Sequence, residues 1–303
     1  MHPSDPAPRS MPTADFVDVG GAMIATRVLE PAGSSAGDVV LCHGTPWSSQ
    51  VWRTVAATLS RGYRVFLWDM PGYGASAKTP GIPLDLRTQG RRLAELIAAW
   101  GLDRPHVVAH DVGGAVALGA HLREGVDFTD LFLWDIVTLD PWGSPFFRLV
   151  ATHAEVFAQL PPALHAALVR EYISGAVAHG LPEATIAELA RPWLDPDGHR
   201  LDPDGHWLDP DGQSAFYRQI AALDPEDTRP LADRLETVRC PVRIGWGVED
   251  PWIPLEQAYE LQRRIPGTPR VVELAGVSHL APVERPEEVS AALLAWFAES
   301  QQS

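Results

Sequence analysis

His106-Val107-Val108-Ala109-His110-Asp111-Val112-Gly113-Gly114 is the stretch that decides how this chain folds. An apolar run ends in a small residue, any residue, an acid, any residue and a glycine, the pattern of a cramped strand-to-helix turn that exposes the side chain at its apex. The run before the turn reads as a strand, and the small residues after it, through Ala115, Val116, Leu118 and Leu122, read as a helix. The apex is a carboxylate, Asp111. A serine there would suggest ordinary ester hydrolysis, whereas a carboxylate attacks saturated, electrophilic carbon and leaves an alkyl ester on the protein.

Working outward, Phe16 to Val28, Val39 to Cys42 and Tyr63 to Trp68 suit strands, the last ending at Asp69-Met70-Pro71-Gly72. Leu86 to Trp100 carries apolar residues at Leu93, Leu96, Ile97 and Trp100 with arginines opposite, which is an amphipathic helix. A strand follows at Leu131 to Ile136. After a long interruption come a strand at Val242 to Trp246, a helix from Glu256 to Ile265, a strand at Arg270 to Leu274 and a last helix from Glu287 to Phe297. Strands alternating with helices imply right-handed crossovers and an α/β fold whose mostly parallel sheet is flanked by helices.

The interruption is helical. Between Asp140-Pro141-Trp142 and about Pro230, segments at Phe146 to Leu160, Ala163 to Ala178 and Ala184 to Ala190 have proline at or near their starts, where a missing N–H costs nothing. The expected organisation is a disordered tail over 1–14, a core over 15–137 and 231–303, and a helical cap over 138–230. Inside the cap LDPDG occurs three times across 194–212. Asp-Pro-Asp-Gly is turn chemistry, with proline presetting one dihedral and glycine allowing positive φ. Closely spaced aspartates also suggest a calcium loop, but no glutamate closes one at the expected spacing, so tandem surface turns are the favoured reading.

At 303 residues and 46% apolar content, one large core with an insertion fits the chain. A formal net charge of −15 argues against nucleic acid or anionic lipid as partners, by like-charge repulsion. The proline-rich start lacks the apolar stretch of a secretory signal, and no run reaches the roughly 18 apolar residues of a membrane span. A cytoplasmic location is expected. Cys42 and Cys240 border apolar strands and read as reduced, buried thiols. The scattered histidines lack metal-ligand spacing, so neither a metal nor a cofactor is expected.

A nucleophile of this kind needs a base for the second half-reaction and an acid to orient that base. His279, between the last strand and the last helix, suits the base, and Asp250, after the preceding strand, suits the acid. Asp135 competes with Asp250 for that place. Nucleophile, acid and base then follow one another in the chain order of the α/β-hydrolase arrangement.

The chain resembles α/β-hydrolases of the aspartate-nucleophile branch, such as epoxide hydrolases and haloalkane dehalogenases, from about residue 16 to 298. His43-Gly44-Thr45-Pro46 is similar to their HGxP motif, and Trp68 to Ser76 to the strand and turn after it. The resemblance implies an oxyanion hole from the backbone N–H groups of Thr45 and Val112, with His43 anchoring that loop beside the substrate. Trp47, Trp142 and Phe146 are expected to contact substrate, and His110 to pack or hydrogen-bond locally.

Branch markers are mixed. Dehalogenases grip halide with a tryptophan after the nucleophile and an asparagine in the HGN motif, or with a second tryptophan in the lid; the first two positions here hold Val112 and Thr45, while Trp142, Trp193 and Trp207 remain for the third. The arginines with which fluoroacetate-type enzymes hold carboxylate are replaced by Val112 and Ala115. Epoxide hydrolases use two lid tyrosines, matched here by Tyr217 in Phe216-Tyr217-Arg218 and Tyr172 in Glu171-Tyr172-Ile173. The resemblance thus implies a hydrolase acting with water on a small apolar electrophile, an epoxide ahead of a haloalkane. An esterase-like hydrolase and a non-catalytic small-ligand sensor are the further alternatives, and self-association through the lid is left open.

Overall fold

The structure is a computed structural model and describes residues 11–194 and 212–300. The tandem LDPDG segment over 195–211, with Trp207, lies outside the described residues, as do residues 1–10. Eight strands form one sheet: β1 (Asp15–Val19), β2 (Ala22–Leu29), β3 (Asp38–Cys42), β4 (Arg64–Trp68), β5 (His106–His110), β6 (Asp130–Trp134), β7 (Val242–Gly247) and β8 (Val271–Leu274). Their order is β1-β2-β4-β3-β5-β6-β7-β8. The pairs β1/β2 and β2/β4 are antiparallel and the remainder parallel. The stretch read as starting at Phe16 folds back on itself at Gly20-Gly21, whose φ of 59° and 76° lie in the left-handed region.

The strand that carries the acid turn is central. β5 pairs with β3 on one side, Val108 opposite Leu41, and with β6 on the other, Val108 opposite Phe132. Every residue of β5 is buried, as expected of a parallel strand covered on both faces. Helices α1 (Arg53–Leu59), α2 (Leu86–Ala99) and α3 (Val112–Leu122) flank the first half of the sheet. Asp85 caps α2 by accepting the Thr88 N–H at 2.8 Å. Gly90 sits against α3 so closely that a Cβ there would lie 3.2 Å from the Val116 carbonyl oxygen. Small residues in α3 are therefore what bring α2 onto the elbow helix.

Between β6 and β7 the described chain forms no strand. It runs through α4 (Pro145–Phe157), α5 (Pro162–Ser174), α6 (Glu183–Leu194), α7 (Gly212–Ala221) and α8 (Pro225–Ala232). Ser144 and Asp224 cap α4 and α8, each followed by proline at the first helical position. Helix α4 packs on α7, α5 on α6, and α6 on α7, whereas α8 packs on α2 and α3. The sheet then resumes with β7, α9 (Glu256–Arg264), β8, α10 (Ala281–Glu284) and α11 (Pro286–Ser300). No helix among the described residues is long and apolar enough to cross a membrane.

Candidate active site

Asp111 occupies a strained turn. Its φ of 54° and ψ of −130° put a non-glycine residue where side chains rarely sit, at the junction of β5 and α3. Two glycines make the turn sterically feasible: a Cβ on Gly44 would lie 2.3 Å from the Asp111 Cβ, and one on Gly113 would lie 2.5 Å from the His43 carbonyl oxygen.

The carboxylate is held from two sides. The Thr45 N–H donates to Asp111 Oδ1 at 2.8 Å, and His279 Nε2 stands 3.1 Å from Oδ2. Val112 opens α3, where the first N–H groups have no acceptor within the helix. On the far side of the imidazole, Nδ1 lies 2.8 Å from Asp250 Oδ2. The other Asp250 oxygen accepts from the backbone of Trp252 and Ile253 at 2.7 and 2.9 Å, which fixes the carboxylate in the plane it needs.

This geometry sets the protonation state. With Nδ1–H given to Asp250, a neutral imidazole would aim a lone pair at the Asp111 carboxylate. A proton on Nε2 removes that repulsion. Burial alone would lower the His279 pKa, but the charge of Asp250 and the hydrogen bond to Asp111 outweigh it and hold the pKa well above the ordinary value. Burial likewise favours a protonated Asp111, and the hydrogen bond and charge of His279 reverse this, holding it below the ordinary carboxylate value. The resting pair is an imidazolium and a carboxylate.

Asp250, not Asp135, meets the His279 ring. Asp135 Oδ1 accepts the Gly247 N–H at 2.7 Å, while Oδ2 is buried without a partner. Burial, and then the nearby charge of Asp250, push its pKa well above the ordinary carboxylate value, which favours its neutral form. His110 braces His279 from behind, its Nε2–H donating to the His279 carbonyl at 2.7 Å. Burial and the His279 charge bring the His110 pKa down to about 4, so this ring is neutral. The loop of His279 is also tied to the turn that follows α5: the His279 N–H donates to the Ala176 carbonyl at 3.2 Å, and the Ser278 hydroxyl accepts from the Ala178 N–H at 2.7 Å.

A cavity of about 470 Å³ opens above Asp111, within the range of small-molecule sites. Thr45, Val112, Trp142 and Tyr172 line it with Asp111. Tyr172 stacks on Trp252 with ring centroids 5.0 Å apart, and Trp252 leans on the His279 ring at 4.9 Å. Burial and the charge of Asp111 keep the Tyr172 hydroxyl protonated far above its ordinary range.

Other expected residues stand elsewhere. The Tyr217 ring is fully buried outside the cavity wall. Its hydroxyl lies 2.9 Å from His165 Nδ1, whose Nε2–H donates to the Trp193 carbonyl at 3.1 Å, so that hydroxyl is turned into the helical packing. His43 does not face substrate: Nδ1–H donates to the Gly44 carbonyl at 2.8 Å and Nε2 accepts the Met70 N–H at 2.9 Å, so it anchors the oxyanion loop instead. Trp47 backs the wall through its stack on Trp252, 6.1 Å away, and Phe146 packs on Phe157 and Tyr172 while its neighbour Phe147 takes the lining position. The indole N–H of Trp142 donates to the Thr228 hydroxyl at 2.9 Å and that of Trp193 to the Pro46 carbonyl at 3.0 Å.

Four contributors escape a sequence reading. Trp252 follows Asp250 by two residues, which is the only signal for it. Gln219, one helical position past Arg218, accepts from the Thr45 hydroxyl at 2.6 Å, and Tyr73 hydrogen-bonds the same Thr45 side chain, so a buried polar chain positions the donor loop. Arg148 reaches the cavity rim from the first turns of α4.

Comparison with known proteins agrees with this architecture. The model of the Alpha/beta hydrolase family matches residues 39–292. A protein named putative carbamate hydrolase RutD from Caulobacter sp. (strain K31) is 28% identical over 270 residues, covering 88% of this chain and 93% of that protein. A fluoroacetate dehalogenase from Burkholderia sp. is 37% identical over 126 residues, 40% of each chain. The crystal structure of an alpha/beta hydrolase fold protein from Burkholderia ambifaria superposes with a TM-score of 0.85 at 38% identity, covering 95% of this chain and all of the other.

Proposed function

The chain belongs to the alpha/beta hydrolase family, and from that premise we propose that it opens small epoxides to diols through an alkyl ester on Asp111. The observation that carries this reading is the 3.1 Å approach of His279 Nε2 to Asp111 Oδ2 in a site whose resting proton sits on the imidazole.

In the first step Oδ2 attacks an epoxide carbon and the ring C–O bond breaks. The released oxygen takes the proton of the Tyr172 hydroxyl, and the phenolate regains one from the His279 imidazolium through the water that enters for the second step, leaving a hydroxyalkyl ester on Asp111 and a neutral His279. In the second step His279 Nε2 takes a proton from water as that water attacks the ester carbonyl carbon. The oxyanion forms on Oδ1, already 2.8 Å from the Thr45 N–H, with the Val112 N–H as second donor. Collapse breaks the bond to the alkyl oxygen, which takes the proton back from His279 as the diol leaves, and the carboxylic acid left on Asp111 gives its proton to His279 Nε2 to restore the starting pair.

This bookkeeping favours an epoxide over a haloalkane. A departing halide takes no proton, so His279 would have to release its own to solvent before acting as a base. The halide reading draws on the similarity to the fluoroacetate dehalogenase, but the indoles of Trp142 and Trp193 are both committed to protein acceptors.

The test uses His279→Ala protein, in which the ester cannot hydrolyse. After incubation with epoxides and haloalkanes, intact mass should show an adduct of the whole epoxide mass on Asp111. An adduct lighter by hydrogen halide would move the reading to dehalogenation. No adduct from any candidate would remove the nucleophile from the account.

A further inference from the structure

We propose that Arg148 anchors an anion subsite at the cavity mouth, and that the preferred substrates carry a carboxylate several bonds away from the electrophilic carbon. The inference rests on the proposed alkylation of Asp111 only for where that carbon sits; the subsite itself stands on the cavity.

Among the described residues lining the cavity, only Asp111 and Arg148 carry charge. Asp111 is 3% exposed and lies at the bottom, whereas Arg148 is exposed and lies at the mouth. The two ends of the cavity thus differ in chemistry, a carboxylate nucleophile inside and a guanidinium outside, and the walls of the passage include the apolar rings of Trp142, Phe147 and Trp252. An apolar molecule would use the passage and leave the cation idle.

The guanidinium is held in place as well as charged. It donates to the Gly143 carbonyl at 2.7 Å, a bond that folds the side chain back along the first turn of α4, beside Gly143 and Ser144 of the cavity wall. No carboxylate among the described residues pairs with it. One carbonyl uses one of five N–H donors, which leaves a fork suited to a planar carboxylate. The net charge of −15 does not cancel this. At physiological salt, exposed charges are screened beyond about 8 Å, so the nearest cation decides the fate of an anion at the mouth.

Two measurements on the full chain test the subsite. Isothermal titration of unreactive hexanoate and hexanamide should show hexanoate binding about tenfold tighter, the order expected of one charge-assisted contact. Arg148→Gln should erase that difference and Arg148→Lys retain part of it. Equal binding of the two ligands by wild type, or a preference untouched by Arg148→Gln, overturns the proposal. In turnover, 6,7-epoxyheptanoate should exceed its methyl ester in kcat/KM, with Arg148→Gln lowering only the former, chiefly through KM. If no epoxide alkylates Asp111, the proposed reaction fails while the hexanoate comparison still judges the subsite.

Discussion

His279 Nε2 lies 3.1 Å from Asp111 Oδ2, so the nucleophile and the base of the proposed reaction form an ion pair before any substrate arrives. The base becomes a base only after the nucleophile has been used. Alkylation of Asp111 removes one of the two anions that hold the imidazole proton, and Asp250 remains to orient the ring.

The two kinetic parameters should therefore respond differently to acid. The form that reacts with substrate has Asp111 ionised and His279 protonated, so kcat/KM should persist on acidification until Asp111 itself protonates, below the ordinary carboxylate value of 3.8. By contrast kcat, where ester hydrolysis limits it, should fall as His279 of the ester intermediate gains a proton. Stopped-flow and steady-state profiles on one epoxide check this. A shared acid limb near 6.5 contradicts it.

Stability carries the same signature. His279 has a folded pKa raised above 6.5, so its contribution is complete below that value and is lost as pH rises through the folded pKa. Asp111 is depressed below 3.8, so its contribution is present above that value and is lost as pH falls through the folded pKa. The stability of wild type relative to Asp111→Asn should be most favourable between these two values and decline on either side, as read by chemical denaturation across pH.

The two lid tyrosines should separate cleanly. Tyr172→Phe removes a proton donor from the cavity and should lower kcat/KM by about a hundredfold or more. Tyr217→Phe removes a buried hydrogen bond to His165 and should cost about 1 kcal/mol of stability with little kinetic effect. Equal kinetic losses would return Tyr217 to the reacting centre.

These residues also mark what could be read from the chain. Asp111, His279 and Asp250 were legible because each follows a strand of the parallel sheet, Asp111 directly and the other two in the loops beyond β7 and β8, so that chain order fixes the side chain's place above the sheet. The central strands were legible for the same reason. Tyr217 was not, because a helix presents its residues by rotation, and only the packing of α7 on α4 and α6 decides that Tyr217 faces His165 while the neighbouring Gln219 reaches Thr45. Phe146 and Phe147 exchanged roles through the same ambiguity. Arg148 is one turn past Pro145 in a stretch with no motif, so its arrival at the cavity depends wholly on how α4 is set down.

The competition between two acids has a direct readout. Asp250→Asn keeps the shape but loses the charge beside His279, and should slow ester hydrolysis by about 10²- to 10⁴-fold, with the ester accumulating. Asp135→Asn replaces a group whose surroundings favour the neutral form and keeps the oxygen that accepts the Gly247 N–H, so kcat should stay within about threefold. The reverse pattern, measured by burst kinetics, would exchange their roles.

The central claim is that an Asp111 oxygen bonds to substrate carbon in each cycle. Turnover of substrate by excess enzyme in ¹⁸O water, followed by digestion and mass measurement of the peptide around residue 111, tests it most directly. The account predicts heavy oxygen in Asp111 and ordinary oxygen in the first diol released. Label in the diol with none in Asp111 would contradict it.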